Sequence, residues 1–521
     1  MLSDDLLAAP PIPARPGLAV RSWLFDKPRT PEIAAAAILV ALGTGLVGAT
    51  RPRDGIAVVA AVAVVTLVLM RPFVGGLLLV SVVPVISGLA PGIPVKSVRA
   101  SEALVGLIGV TLLVGARKRD CIPWEILDWT VLAFGIAWAA FGAGNALALH
   151  EHLSLSQWGT VFGQLQFFLI YRGVRLSVRT PRQRRVALGA FLVASVPVGL
   201  LAVAQQFRLP GVGSFLFTIT GSQEAAVSAP GTVAPLSISD LHRATGPFAN
   251  WTSLAGYFFP VLLLMCAIVL ANQVGRRRRW FLAIAAVAAS GLLVSDEQSA
   301  IIGLVAGIVA LGVMSRRTRE VGRWLLVALV VGGAVFGPTI GKRVVEELAG
   351  GASSSSSSVI PQTLGYRGQV WTGQYFPAIE QRLLTGYGVE TPTTIQWPYT
   401  ESEYVTILMQ GGLPLLVVFG VMTWAMIDRS RRMARSPDPL DRALGASLTV
   451  AIVTLIVMDI IWPYMSNGGL PQVLWALLAL GWAGGGAGWH RVPGRLRSGS
   501  RPLHPGAPVR PSYEATGRDL G

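Results

Sequence analysis

The chain has 521 residues, of which 52% are hydrophobic and only 13% are charged. A soluble protein of this size would have roughly a quarter of its residues charged, so the composition excludes a soluble globular protein and indicates a polytopic membrane protein. The net charge of +16 is of the sign that nucleic-acid binding needs. The arginines, however, fall in short clusters between apolar runs, as the positive-inside rule predicts, and we expect no nucleic-acid partner.

Apolar runs that approach the length of a bilayer-crossing helix recur along the whole chain and predict about 12–14 spans. The candidate spans are 33–50, 54–70, 72–90, 99–115, 127–148, 155–173, 186–206, 251–272, 280–295, 299–314, 323–339, 404–426, 443–463 and 469–489. We therefore predict an all-α integral membrane fold, a polytopic helical bundle over 33–489. Residues 1–32 form a cytoplasmic N-terminal tail, and the Pro/Arg-rich residues 490–521 form a disordered cytoplasmic tail.

The basic clusters predict the orientation of the bundle, because Lys and Arg accumulate in cytoplasmic loops. Clusters lie at 117–119, 172–185, 276–279, 316–323 and 429–442. Placing them inside leaves two long extracytoplasmic loops, about 207–250 and 340–403. The second loop contains the serine run Ser353–Ser358, which predicts a flexible hinge. Apolar residues then recur at near-helical spacing from Val370 to Leu383, which predicts short amphipathic helices at the membrane surface.

Arginines are informative in this topology because few of them fall outside. Arg243 comes directly before a span, and Arg367 opens the helix of the second loop. A guanidinium offers a planar fork that matches phosphate oxygens, although snorkelling to lipid headgroups is the alternative for any interfacial arginine. No external carboxylate pair or Cys/His spacing typical of a metal site is present. If pyrophosphate chemistry occurs, side-chain cations must therefore do the work of a metal ion.

Two glutamates, Glu401 and Glu403, lie just before the span that starts near 404. Carboxylates in such a place can act as general bases, or they can simply favour the positive end of a helix dipole. Arg382, Trp371 and Tyr404 are secondary candidates in the same stretch. Asp459, near the outer end of a later span, is a further candidate because charged groups in membranes are usually functional.

Three segments carry a resemblance to a known family. They are RATGPFANWTSLAGY from Arg243, GYRGQVWTGQYFPAIEQRLLTGYGVETP from Gly365, and ESEYVTILMQGGLPLLVVFG from Glu401. In order and spacing they resemble the O-antigen ligase / O-antigen polymerase superfamily of bacterial envelope polysaccharide enzymes, over about 240–430.

The resemblance implies a multi-span glycosyltransferase of the bacterial plasma membrane with its active site outside. It would transfer a polyprenyl-diphosphate-linked glycan to a hydroxyl acceptor without metal or cofactor. Arg243 and Arg367 would bind the diphosphate. Glu401 stands where ligases carry a histidine, so a glutamate, Glu401 or Glu403, would activate the acceptor.

The missing histidine favours a polysaccharide repeat-unit polymerase over an O-antigen-type ligase that attaches glycan to a lipid or protein. A polysaccharide or lipid transporter is an alternative, disfavoured because the spans offer few polar groups and no internal repeat. A non-catalytic partner of a synthase complex is another. The expected partners are the lipid-linked oligosaccharide, a glycan or lipid acceptor, membrane lipids, a flippase and a chain-length regulator.

Overall fold

The computed structural model describes residues 52–90, 99–116, 122–150, 152–222, 243–274, 278–323, 325–326, 330, 362–397 and 399–481, and every regular element among them is helical. The chain divides after Ala483 into two compact units, and all described residues belong to the first. The predicted tails, the span at 33–50, most of the span at 323–339, the serine run and parts of both long loops lie outside the described residues.

The α-helices are numbered here in chain order. They are α1 (Pro52–Met70), α2 (Pro72–Ser81), α3 (Val83–Ile86), α4 (Ala100–Ala116), α5 (Ile126–Ala148), α6 (Leu155–Gly163), α7 (Leu165–Ser177), α8 (Pro181–Gln206), α9 (Val212–Thr220), α10 (Trp251–Leu270), α11 (Arg278–Ser295), α12 (Gln298–Met314), α13 (Gln362–Val370), α14 (Phe376–Gln381), α15 (Glu403–Ala434), α16 (Pro439–Met458) and α17 (Leu470–Leu480). A π-helical segment, Trp371–Tyr375, joins α13 to α14.

Six of the described helices are long and apolar enough to cross a bilayer: α5, α8, α10, α11, α15 and α16. Shorter apolar helices lie in or coincide with α1, α2, α4, α12 and α17. The described part of the chain is therefore all-helical, and the protein is a multi-pass membrane protein. The total of about 12–14 spans stays a prediction, because some of the predicted spans fall outside the described residues.

Two predicted continuous spans are broken. The run at 155–173 forms α6 and α7, which part at Gln164 directly after Gly163, a poor helix former. The run at 72–90 forms α2 and α3, and Pro84 lies in the first turn of α3, where its missing N–H costs nothing. Hydropathy does not distinguish one helix from two consecutive helices, and the joining residues Gln164 and Val82 keep right-handed helical backbone angles.

Helices α10 and α17 form the interior of the bundle. In the most apolar stretch of α10, 83% of the residues are buried. Trp475 of α17 is fully enclosed. Trp475 packs against Phe167 and Tyr171 of α7, at ring-centroid distances of 6.3 and 6.0 Å.

One end of the bundle gathers largely buried arginines that are paired with acidic side chains. Arg175 of α7 donates to Glu125 at 2.6 Å and also to Asp128, at the start of α5. Arg429, near the end of α15, donates to the same Glu125. Arg184 of α8 donates to Asp438, which caps α16, at 2.6 Å. The clusters 172–185 and 429–442 thus share one end, and the start of α15 lies at the other.

Candidate active site

Arg367 and Glu401 form an ion pair at the end of the bundle where α15 begins. Arg367 lies in α13, and its Nε donates to Oε2 of Glu401. The two side chains are 20% and 15% exposed, so the pair is largely shielded but still reachable. Glu401 has φ 50°, a left-handed conformation that is uncommon for a residue with a side chain and that clusters at functional sites.

Aromatic side chains fix the segment that carries Glu401. The indole N–H of Trp371 donates to the carbonyl of Thr400 at 2.7 Å. The hydroxyl of Tyr375 donates to the carbonyl of Trp397, also at 2.7 Å. Burial, and then the charge of Glu401, raise the pKa of Tyr375 to about 12, so this hydroxyl keeps its proton and remains a donor. Trp371 therefore serves to position the backbone beside Glu401.

A small apolar core holds this loop together. Its buried members are Val370, Tyr375, Ala378, Ile379, Ile395, Val405 and Met409. Leu383, by contrast, is 44% exposed. The predicted helix is present, but the π-helical segment interrupts it and Pro377 lies in the first turn of α14, a position that tolerates proline.

The glycine turn, residues 386–388 with positive φ at Gly386 and Gly388, follows α14 and packs against a kink in α15. Gly411 and Gly412 break the helix, and Gly412 has φ 64° and ψ −162°, a conformation essentially restricted to glycine. The break leaves backbone groups unpaired, and the turn satisfies them. Tyr387 N donates to Met409 O at 2.6 Å, and Leu413 N donates to Leu383 O at 2.7 Å. The loop that holds Arg367 is thereby fastened to a membrane helix.

Glu403, the first residue of α15, is enclosed: it is 2% exposed. Its carboxylate accepts the backbone N–H of Ser466 at 2.9 Å and the Ser466 hydroxyl at 2.6 Å. Its own N–H donates to the carbonyl of Asp459 at 2.9 Å. Asp459 is 3% exposed, and its Oδ1 has no hydrogen-bond partner among the described residues. Glu403 therefore fixes the position of the loop after α16 through these hydrogen bonds.

Arg243 lies on a different part of the same end. Its guanidinium stacks over Trp251 at 4.6 Å, and its Nε is buried without a hydrogen-bond partner among the described residues. The backbone that follows is anchored, because the N–H groups of Thr245 and Gly246 both donate to Gln205 Oε1 at 2.9 Å. Arg243 itself is half-buried, and a guanidinium with an unused Nε–H can bind an anion on chemical grounds.

The predicted site residues are therefore only partly brought together. Arg367 pairs with Glu401, and Glu403 follows two residues later. Within the described parts of the chain, no ion pair, hydrogen bond or ring contact joins Arg243 to Arg367. Two secondary candidates serve packing: Arg382 stacks on Tyr387 at 5.1 Å, and the Tyr404 hydroxyl donates to Ile456 O at 2.7 Å.

The loop between α16 and α17 is the part that sequence reasoning missed, apart from Asp459. Its Ser466 holds Glu403, and the Tyr464 hydroxyl is 2.6 Å from the Ser299 hydroxyl at the start of α12. Gly469 lies close to Phe248, in the segment that follows Arg243. The run Ser466–Gly469 (SNGG) between two apolar runs is a turn signal, but nothing local in it indicates a partner on α15.

Metal ligands form no cluster in the described residues: no group of three or more His, Cys, Asp or Glu side chains there could hold an ion. Fold and site together define a multi-pass helical membrane protein with a cation and a carboxylate paired at one end. Residues 283–420 match the family model described as O-antigen ligase. A comparison with curated proteins finds no match.

The matched region starts within α11 and ends within α15, so it includes Arg367, Glu401 and Glu403 but not Arg243 or Asp459. The match confirms the resemblance to the O-antigen ligase and polymerase superfamily over these residues. It indicates a membrane glycan ligase or polymerase that uses a lipid-linked glycan.

Proposed function

We propose that the protein is a membrane glycosyltransferase that moves a polyprenyl-diphosphate-linked glycan to a hydroxyl acceptor and thereby polymerises polysaccharide repeat units. The observation that carries this proposal is the Arg367–Glu401 pair inside the region that matches the O-antigen ligase family. It places a permanent cation for the leaving group beside a carboxylate for the incoming hydroxyl.

The pair can serve both partners at once. Arg367 uses only its Nε toward Glu401, and its two terminal nitrogens make no hydrogen bond among the described residues. They are available to a diphosphate, which prefers bidentate guanidinium contacts. Glu401 uses Oε2 toward Arg367, so Oε1 is left to take a proton. Arg243 supplies a second cation, supported by its unpartnered buried Nε.

The reaction then balances without a further reagent. The acceptor hydroxyl gives its proton to Glu401, and its oxygen bonds to the anomeric carbon of the donor. The bond between that carbon and the diphosphate oxygen breaks, and polyprenyl diphosphate leaves as an anion held by Arg367 and Arg243. Electrostatic stabilisation of such developing charge is commonly the largest contribution to catalysis. Glu403 is too enclosed to meet an acceptor and acts as a positioning residue.

Two further assignments belong to the proposal. Two basic clusters, 172–185 and 429–442, lie at the opposite end of the bundle from Glu401. By positive-inside sorting, this supports a site on the outer face of a bacterial plasma membrane. A polymerase is preferred to a ligase because Glu401 replaces the histidine that ligases carry.

The test is elongation of lipid-linked repeat units by the full-length protein in nanodiscs. Loss of one preorganised cation costs about 3 kcal/mol, or roughly 10²-fold in rate, so Arg367→Ala and Arg243→Ala should each fall by that factor. Arg319→Ala, at an exposed arginine of the basic cluster 316–323, is the control and should retain its rate. Rates near wild type in both site variants would reject the assignment.

A deletion strain separates the two activities. Accumulation of single lipid-linked repeat units is the result expected for a polymerase. Accumulation of full-length polymer that is not attached to an acceptor would instead identify a ligase.

A further inference from the structure

A polar cavity of about 230 Å³ lies between the start of α4, the break between α6 and α7, and the loop before α17. Arg99 and Glu102 line it on one side. Most of its other polar groups are uncharged hydroxyls and amides: Ser156, Thr160, Gln164, Gln166, Asn467 and Gln472. Ser156, Thr160 and Gly163 follow one another at helical spacing, so one face of α6 lines the cavity.

Ser466 links the cavity to Glu403, at the start of α15. Ser466 lines the cavity and donates both its N–H and its hydroxyl to Glu403, two residues from Glu401. A second cavity, of about 90 Å³, shares Arg99 and Ser466 and extends to Asn250 and Ser253 at the start of α10. The larger cavity is therefore lined in part by the loop between α16 and α17, whose Ser466 holds Glu403.

The charges of the cavity disfavour a diphosphate. Arg99 is its one lining cation among the described residues. Glu102 lies within electrostatic reach of Arg99, so an acidic side chain stands beside that cation and disfavours a phosphate there. Hydroxyls and amides both donate and accept hydrogen bonds, which is the pattern that a sugar ring with several hydroxyls satisfies.

Size and hydrogen bonding agree with a sugar. Pockets for drug-sized ligands span roughly 300–1,000 Å³, so about 230 Å³ suits a single ring. Gln166 Oε1 is buried without a hydrogen-bond partner among the described residues. An unpaired buried carbonyl costs about 1–3 kcal/mol, and a ligand hydroxyl would relieve that cost once the amide turns toward it.

We propose that this cavity is the acceptor subsite, which holds the terminal sugar ring of the glycan whose hydroxyl is glycosylated. The assignment rests on the proposed function and adds the class of ligand: an uncharged, hydroxyl-rich sugar. Arg367 and Arg243 hold the donor diphosphate, and the cavity holds the acceptor.

The test measures glycan binding apart from catalysis. The probe is the oligosaccharide released by mild acid from the lipid-linked repeat units of the producing cells. Its affinity for the full-length protein in nanodiscs is measured by calorimetry for wild type, Gln164→Leu and Gln166→Leu. Gln206→Leu is the matched control, because Gln206 Oε1 is also buried and unpartnered among the described residues but does not line the cavity.

Loss of one hydrogen bond, about 0.5–1.5 kcal/mol, predicts binding about 3- to 10-fold weaker in Gln164→Leu and Gln166→Leu. Gln206→Leu and Arg367→Ala should bind the glycan as wild type does. In the elongation assay, the KM for acceptor should rise by the same factor while kcat and the donor KM stay constant. Melting temperatures within a few degrees of wild type exclude unfolding as the cause.

The outcomes separate this inference from the proposed function. No glycan binding by wild type, or equal binding by wild type and both cavity variants, overturns the subsite. Cavity-dependent binding by a wild-type protein that transfers no glycan keeps the cavity as a sugar-binding site but rejects both the transferase and the acceptor role of the cavity. Transfer that proceeds with cavity-independent binding rejects the subsite alone.

Discussion

Replacing Glu401 by glutamine separates its two proposed roles. Glutamine keeps an oxygen that can accept from Arg367 Nε but cannot take a proton. General-base catalysis contributes about 10²–10⁴-fold, so kcat of Glu401→Gln should fall by at least about 10²-fold. The pair is largely shielded, with exposures of 20% and 15%, so removal of the carboxylate leaves Arg367 more electropositive toward a diphosphate. A gain of up to about 1.4 kcal/mol would lower the donor KM as much as tenfold.

The assay is steady-state elongation with the donor and acceptor concentrations varied independently. Glu390→Gln is the matched control, because Glu390 is a half-buried glutamate of the same loop whose described partner is the neutral Gln157; it should retain kcat. Glu401→His should recover part of the activity with its acidic limb at higher pH, because imidazole titrates above a carboxyl group. A Glu401→Gln enzyme with wild-type kcat would refute the role of this residue as base.

Two further predictions concern topology and the kink. If the site end is extracytoplasmic, Gln369→Cys, at an exposed position, should react with a membrane-impermeant maleimide in intact cells, whereas Arg319→Cys should react only after lysis; the reverse pattern would invert the orientation. Gly412→Ala should lower the melting temperature and elongation together, because a residue with a side chain at φ 64° and ψ −162° costs about 1–3 kcal/mol. Gly420→Ala, in the same helix with open space around its added methyl, should leave both unchanged or slightly raise stability; equal effects of the two would show that the kink is not required.

The sequence by itself determined the properties that act segment by segment. Each apolar run partitions into a bilayer on its own hydropathy, so the multi-pass helical fold followed from composition and spacing. Each arginine cluster responds to the membrane according to its own charge, and the clusters 172–185 and 429–442 do meet at one end of the bundle. The motif around Arg367 and Glu401 was recognised for the same reason, since its order and spacing lie within one short stretch.

Only the tertiary structure decided which of these segments meet. The sequence treated Glu401 and Glu403 alike, yet one pairs with Arg367 and the other is enclosed by Ser466, 63 residues later. The docking of the turn 386–388 against the kink at Gly412 depends on backbone groups whose partners are distant in the chain. Hydrogen bonds and burial depend on neighbours in space, so a pattern along the chain names the candidate groups but not the partners that set their chemistry.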